Sequence, residues 1–171
     1  MKEKISLLKG ILILLFAGTI LVSCEKDEDE PIDLLIGTWT AESADVDLQV
    51  DGKTLTQYFT DLGYPPAQAQ SLTTTINALL QQQFTGSLTL NADKTYTADL
   101  GTEADSGTWN LSSDSKQLTI DSSTEAPFIL DIERLTENEL VVTWNEVWQE
   151  DLNEDEIPEN LDMDITLTLN K

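Results

Sequence analysis

The chain has 171 residues, of which 32 are acidic and nine basic, with no histidine, a single cysteine and a formal charge of −23 at pH 7. A field of that sign repels phosphate backbones and anionic lipid heads, which excludes nucleic acid as a partner and leaves cations, or simply a non-sticky exterior, as its consequence. One cysteine and no histidine also exclude an intrachain disulfide, a structural zinc site and the usual histidine-based nucleophile pairs.

The first stretch is an address. Lys2, Lys4 and Lys9 form a basic leader, and Gly10 to Val22 is an uncharged apolar run. That run is shorter than the roughly 18 to 20 apolar residues a spanning helix requires, so it reads as the hydrophobic region of a secretion signal, with an uncleaved anchor as the alternative. Leu21-Val22-Ser23-Cys24 resembles the lipobox of bacterial lipoproteins. The resemblance implies cleavage after Ser23, a diacylglyceryl thioether on Cys24 and an N-acyl chain such as palmitate. Two or three acyl chains hold a protein durably where one, at about 0.8 kcal/mol per buried methylene, does not.

Glu25 to Glu30 is a charge run that cannot bury enough apolar surface to fold, so it is expected to be a flexible tether. An acidic tract behind a lipidated cysteine also resembles the signal that sends some lipoproteins to the outer face of an outer membrane. Outer-membrane attachment with cell-surface display is therefore the expected location, and a periplasm-facing lipoprotein the alternative. The expected organisation is residues 1–23 as signal peptide, 24–33 as lipidated cysteine and tether, and 34–171 as one domain. Removing residues 1–23, which hold Lys2, Lys4, Lys9 and Glu3, leaves six basic and 31 acidic residues in a chain long enough for one proper core.

From Leu35 the pattern is β, interrupted once. A first strand over Leu35 to Ala41 carries Gly37-Thr38-Trp39, and Val46, Leu48 and Val50 alternate with polar residues up to an Asp51-Gly52 turn. Leu55, Tyr58, Phe59 and Leu62 then fall on one helix face ahead of Gly63. Pro65-Pro66 opens a second helix through Gln83 with Leu72, Ile76, Leu79 and Leu80 as its apolar stripe.

Strands resume at Leu88. Leu88 and Leu90 continue in phase with Tyr96, Ala98 and Leu100 across Ala92-Asp93-Lys94, and Trp109 and Leu111 match Leu118 and Ile120 across a serine-rich turn. In a long hairpin from Pro127 to Trp148, a loop at Thr136-Glu137-Asn138 sets Leu135 opposite Glu139, Ile132 opposite Val142 and Leu130 opposite Trp144. Met163, Ile165, Leu167 and Leu169 supply the closing strand. Eight or nine antiparallel strands suffice to close and remove free edges.

These segments in this order, Gly-Thr-Trp, Leu-Thr-Leu-Asn-Ala-Asp-Lys-Thr-Tyr, Gly-Thr-Trp-Asn-Leu and Leu-Thr-Glu-Asn-Glu-Leu-Val-Val, resemble the lipocalin-like domains of small bacterial lipoproteins. The expected fold is thus mainly β: an antiparallel lipocalin-like barrel of about eight strands with a two-helix insertion after the first strands. In lipocalins the first-strand tryptophan packs at the closed end beneath a late-strand arginine. The resemblance points to Arg134 over Trp39, with a rim salt bridge for Arg134 as the alternative.

The resemblance implies a binding or scaffold module, attached to the membrane through Cys24, that receives a small apolar ligand. The alternative is a structural or protein-interaction lipoprotein with a filled barrel and an envelope protein as partner. The ligand candidates are Trp144, Glu146 and Trp148 on one inward phase, together with Arg134, with a wet rim position for Glu146 as the alternative to a buried ligand acceptor. Counting Trp39, Tyr96, Trp109, Phe128 and Trp144 inside an eight-stranded barrel favours a filled interior with only shallow binding near Trp144, Glu146 and Trp148.

No cofactor and no enzymatic activity are expected, because only carboxylate, lysine or tyrosine chemistry remains and 31 acids make any single carboxylate pair uninformative. Asp151, Asn153, Asp155, Glu159 and Asp162 have the 1, 3, 5, 9, 12 oxygen spacing of a calcium loop. Glu156 at the turn-glycine position, Asp162 at the place of the bidentate Glu, and Pro158 all argue against it, and a solvated acidic loop is the default.

Overall fold

A computed structural model describes residues 30–100, 103–124, 126–153 and 155–171 of the protein. The leader, Cys24 and the acidic tether lie outside the described residues.

A short helix α1 (Pro31–Leu35) leads into strand β1 (Gly37–Val50). Leu35 is therefore helical, where the alternation suggested strand. The two strand pieces expected before the Asp51-Gly52 turn are one 14-residue strand, continuous through a register shift between Ala41 and Ser43. Asp51 and Gly52 both have positive φ, 50° and 72°, as a two-residue hairpin turn of the matching twist demands. They join β1 to the two-residue strand β2 (Lys53–Thr54).

The period then switches to helix, as the apolar spacing predicts. α2 (Leu55–Asp61) starts at Thr54, whose hydroxyl accepts from the Gln57 amide, and chain direction reverses at Gly63 with φ 94°. α3 (Pro66–Gln82) has proline in its first turn, where a missing N–H costs nothing. Leu72, Ile76 and Leu80 of its apolar stripe are half-buried, but Leu79 is exposed.

The remaining strands form a meander: β3 (Gly86–Leu90), β4 (Thr95–Leu100), β5 (Glu103–Leu111), β6 (Gln117–Ser122), β7 (Phe128–Leu135), β8 (Glu139–Glu150) and β9 (Glu159–Asn170). The order β1-β3-β4-β5-β6-β7-β8-β9 closes because β9 pairs with β1 from Thr40↔Asn170 to Val50↔Leu161. Eight antiparallel strands thus make a closed barrel, and β2 extends it beside β1.

Most of the expected pairings are present: Leu90↔Tyr96, Trp109↔Ile120, Leu111↔Leu118 and Ile132↔Val142. One is not. A register shift between Ile132 and Arg134 places Leu135 opposite Leu140, where uninterrupted alternation had put Glu139. A bulge inserts one residue into one strand only, and here it turns Arg134 out of the inward phase. Arg134 is exposed and forms an ion pair with Glu139 at 2.7 Å, which is the rim salt bridge and not a stack on Trp39.

Two cores follow from unequal strand lengths. All eight strands surround the first, built on Leu35, Trp39, Leu88, Leu90, Tyr96, Trp109, Leu118, Leu140, Leu167 and Leu169. β1, β8 and β9 run on past the shorter strands as a three-stranded ribbon. Val46, Leu48, Val50, Leu161, Met163 and Ile165 on its inner face pack with Leu55 and Tyr58 of α2 and with Ile76 and Leu80 of α3, making the second core. The helix pair therefore covers a sheet face that would otherwise be wet.

Candidate functional site

The starts of β1, β4, β6 and β8 and the ends of β3, β5, β7 and β9 meet at one end of the barrel, which α1 closes. Trp39 is fully buried there, and its Nε1 donates to the Leu35 carbonyl of α1 at 2.8 Å. Trp109 is also buried and donates to the Asn91 carbonyl at 3.0 Å. Each ring has a lysine above it, Lys171 Nζ 4.5 Å from the Trp39 centroid and Lys94 Nζ 3.8 Å from that of Trp109. The cation that the lipocalin resemblance assigned to Arg134 is supplied at Trp39 by Lys171.

The repeated Gly-Thr-Trp triplet acquires a physical reason. Gly37 has φ 136°, a conformation that side chains rarely adopt, and a Cβ there would also crowd Lys171 Cε at 3.0 Å where the lysine stem crosses to Trp39. A Cβ on Gly107 would meet the Asp121 carbonyl oxygen at 2.1 Å and the Tyr96 ring at 3.0 Å. Tyr96 lies directly opposite Gly107 in the sheet and leans into the space it leaves.

Above this floor the barrel is open. A cavity of about 500 Å³ reaches from Leu88, Leu140 and Leu169 near the floor to a mouth at Gln83, Ala126 and Glu146. The expectation of a filled interior fails because the rings do not share one layer. Trp39 and Trp109 are spent on the floor, Gly107 draws Tyr96 to the wall, and Trp148, opposite Leu161, packs with the helix-covered second core.

One wall of the cavity is aromatic. Phe84, just past α3, and Phe128, at the start of β7, both pack edge-on against Trp144 with centroids 5.5 Å away and planes at 75° and 82°. Trp144 Nε1 donates to Glu146 Oε1 at 3.0 Å. The other wall carries a polar cluster. Asp105 Oδ2 accepts a short hydrogen bond from the Tyr96 hydroxyl, and its Oδ1 accepts from Ser122 Oγ at 2.9 Å and from the Ser106 amide at 2.8 Å. Those donors, the Tyr96 hydroxyl foremost, hold the Asp105 carboxyl below the usual carboxylate range. Burial, and then the hydrogen bond to Asp105, push the Tyr96 phenol up to about 12.

Of the ligand candidates read from the sequence, Trp144 and Glu146 line the cavity, with Glu146 exposed at its mouth. Trp148 lies farther along β8 against the second core, and Arg134 is at the opposite end of the barrel. Sequence reasoning missed Phe84, Asp105 and Ser122. For the last two a signal existed, since Asp105 shares the phase of Trp109 and Ser122 that of Ile120.

The five calcium-loop residues are not brought around a common point. Asp151 accepts from the Asp155 and Glu156 amides, Asn153 from the Asp155 amide and Asp155 from the Ile157 amide, so these oxygens shape their own loop. Asp162 accepts from Asn145 on the neighbouring strand. Glu159 is buried and takes hydrogen bonds from the Tyr58 hydroxyl, the Leu152 amide and Asn153 Nδ2, tying the loop to α2. Among the described residues no group of three or more Cys, Asp or Glu side chains is placed to hold a metal ion.

No helix of the described residues is long and apolar enough to cross a membrane, a statement that does not extend to strands. No family model matches the chain, and no curated protein matches it. Among solved structures, a DUF4847 family protein from Bacteroides vulgatus ATCC 8482 is similar at a TM-score of 0.38 and 12% identity, over 80% of this chain and 93% of that one.

Proposed function

We propose that the protein is a lipid-anchored module of the cell envelope whose barrel binds a small, largely apolar molecule. The observation that carries the binding half is the cavity of about 500 Å³, within the roughly 300–1,000 Å³ range of ligand pockets and lined mainly by apolar and aromatic side chains with a few convergent polar groups. A filled scaffold, the competing reading, has no use for that space. The anchoring half rests on Leu21-Val22-Ser23-Cys24 and the acidic tract behind it, with display on the outer face of an outer membrane as the location that tract favours.

Binding without chemistry is the reading the polar wall supports. A general base or acid works best with a pKa near the operating pH, and here the shifts run the other way, Asp105 down and Tyr96 up to about 12. Ser122 has a carboxylate partner, but the chain has no histidine to relay its proton. The net charge of −23 argues against nucleic acid as a partner.

Two experiments test the halves separately. Cells fed a clickable fatty acid should label the wild-type protein and not Cys24→Ala; equal label in both would remove the anchor. Native mass spectrometry of protein from its own cells should show one small molecule per chain, lost in Trp144→Ala. An unliganded mass, together with no saturable response to any added apolar probe, would remove the pocket.

A further inference from the structure

The cavity discriminates between ligand charges more sharply than between ligand shapes. Among the described residues its lining contains two carboxylates, Asp105 and Glu146, and neither lysine nor arginine. The five cations among the described residues are all elsewhere. Lys94 and Lys171 cover the floor tryptophans, Lys53 pairs with Asp61, Arg134 pairs with Glu139, and Lys116 sits in the turn between β5 and β6 at the closed end.

Donors are equally scarce. The Tyr96 and Ser122 hydroxyls both point their hydrogens at Asp105, and the Trp144 indole N–H is committed to Glu146. Apart from the Gln83 amide at the mouth, the side chains of the lining offer an incoming molecule only carboxylate lone pairs and ring faces. Carboxylates and ring faces both attract ammonium and repel carboxylate. A fatty acid entering head-first would place its anion among two others with no counter-ion, and Asp105, held below the usual carboxylate range, stays charged at neutral pH.

Resting on the pocket reading above, we infer that the ligand is an organic cation: an amine or quaternary ammonium on an apolar body, its charge held between Asp105 and Glu146 and its body along Phe84, Phe128 and Trp144. Apolar anions such as fatty acids are excluded by the same groups.

Three water-soluble probes that share a body separate charge from shape: 3-phenylpropylamine, 3-phenylpropan-1-ol and 3-phenylpropanoate. Each is titrated by calorimetry into the full chain in phosphatidylcholine nanodiscs at 150 mM salt, which screens charges beyond about 8 Å, with empty nanodiscs subtracted. The amine should bind saturably, one per chain, about tenfold or more tighter than the acid, with the alcohol between. Asp105→Asn and Glu146→Gln should each weaken the amine about threefold or more and so narrow its preference over the alcohol and the acid. Glu146 is exposed at the mouth, so its variant keeps the test valid should Asp105→Asn fail to fold.

If the acid binds as tightly as the amine, or if neither variant narrows the preference, the cation assignment is overturned while alcohol binding still upholds the pocket. If none of the three binds, both readings fall.

Discussion

The two ends of the barrel use the same material for opposite purposes. At the closed end Trp39 and Trp109 are buried, their indole N–H groups are satisfied by backbone carbonyls, and a lysine lies over each ring. At the open end Trp144 is half-buried, meets Phe84 and Phe128 edge-on and faces a cavity. The lesson is that aromatic count does not decide whether a small barrel is full. What decides it is the layer each ring occupies, and here Gly107 leaves room for Tyr96 against the wall.

The strongest way to break this comparison is to truncate one ring at each end. Trp39→Ala leaves a large hole in a layer with nothing to collapse into it and should cost about 3 to 5 kcal/mol in urea denaturation. That is a large share of the 5 to 15 kcal/mol typical of a domain, so the variant will be marginal.

Alkali should have the next largest effect, acting on neither end's tryptophans but on two buried tyrosines. Tyr58 donates to Glu159 and Tyr96 to Asp105, and both phenols are pushed up to about 12. A raised folded-state pKa contributes stability that is fully present below the unfolded value of 10 and is lost as pH rises through about 12. Urea midpoints taken at pH 8, 10 and 11.5 should therefore fall over that window, by up to about 2.5 kcal/mol for each phenol. Tyr58→Phe and Tyr96→Phe should each flatten the fall. Asp105 acts at the other extreme: its carboxyl is lowered, so its contribution is present above the ordinary carboxylate value and disappears as pH drops through the folded one.

Trp144→Ala should cost only about 1 to 2 kcal/mol, the loss of a half-buried ring and two edge-on contacts, while removing binding of any pocket probe. A stability loss matching that of Trp39→Ala would erase the distinction between the two ends. The smallest effect belongs to Lys171→Ala. It should lower stability by about 0.5 to 1 kcal/mol through the uncovered Trp39 face, and near-ultraviolet circular dichroism of that ring should change.

Phase was legible in the sequence; layer and interruption were not. Alternation located Val46, Leu48, Val50, Met163, Ile165, Leu167 and Leu169 on the buried face and gave most hairpin registers, because a one-residue slip would have exposed every one of them. The bulge beside Glu133 carries no glycine or turn signature, so Arg134 kept an inward phase on paper that it lacks in the sheet. Lys171 over Trp39 joins opposite ends of the chain, beyond any local pattern.

The polar wall was within reach, since Asp105 and Ser122 break otherwise apolar inward phases near strand ends. A polar residue at such a place marks either a wet rim or a site, and alternation alone does not separate them. Phe84 lies in the turn after α3, outside any strand period, and only the fold brings it to Trp144.

The position of α1 has a consequence for traffic. The chain enters the barrel at the closed end, so the proposed anchor at Cys24 would moor the protein by its floor, and the six Cα-to-Cα steps from Cys24 to Glu30 can span at most about 22 Å. The stretch of β8 from Glu139 at the floor to Glu146 at the mouth is about 24 Å of strand, so a barrel standing on its floor would carry its mouth away from the lipid. On the proposed anchoring and pocket, a ligand would then reach an upright barrel from the aqueous side, in collisions with molecules already in water.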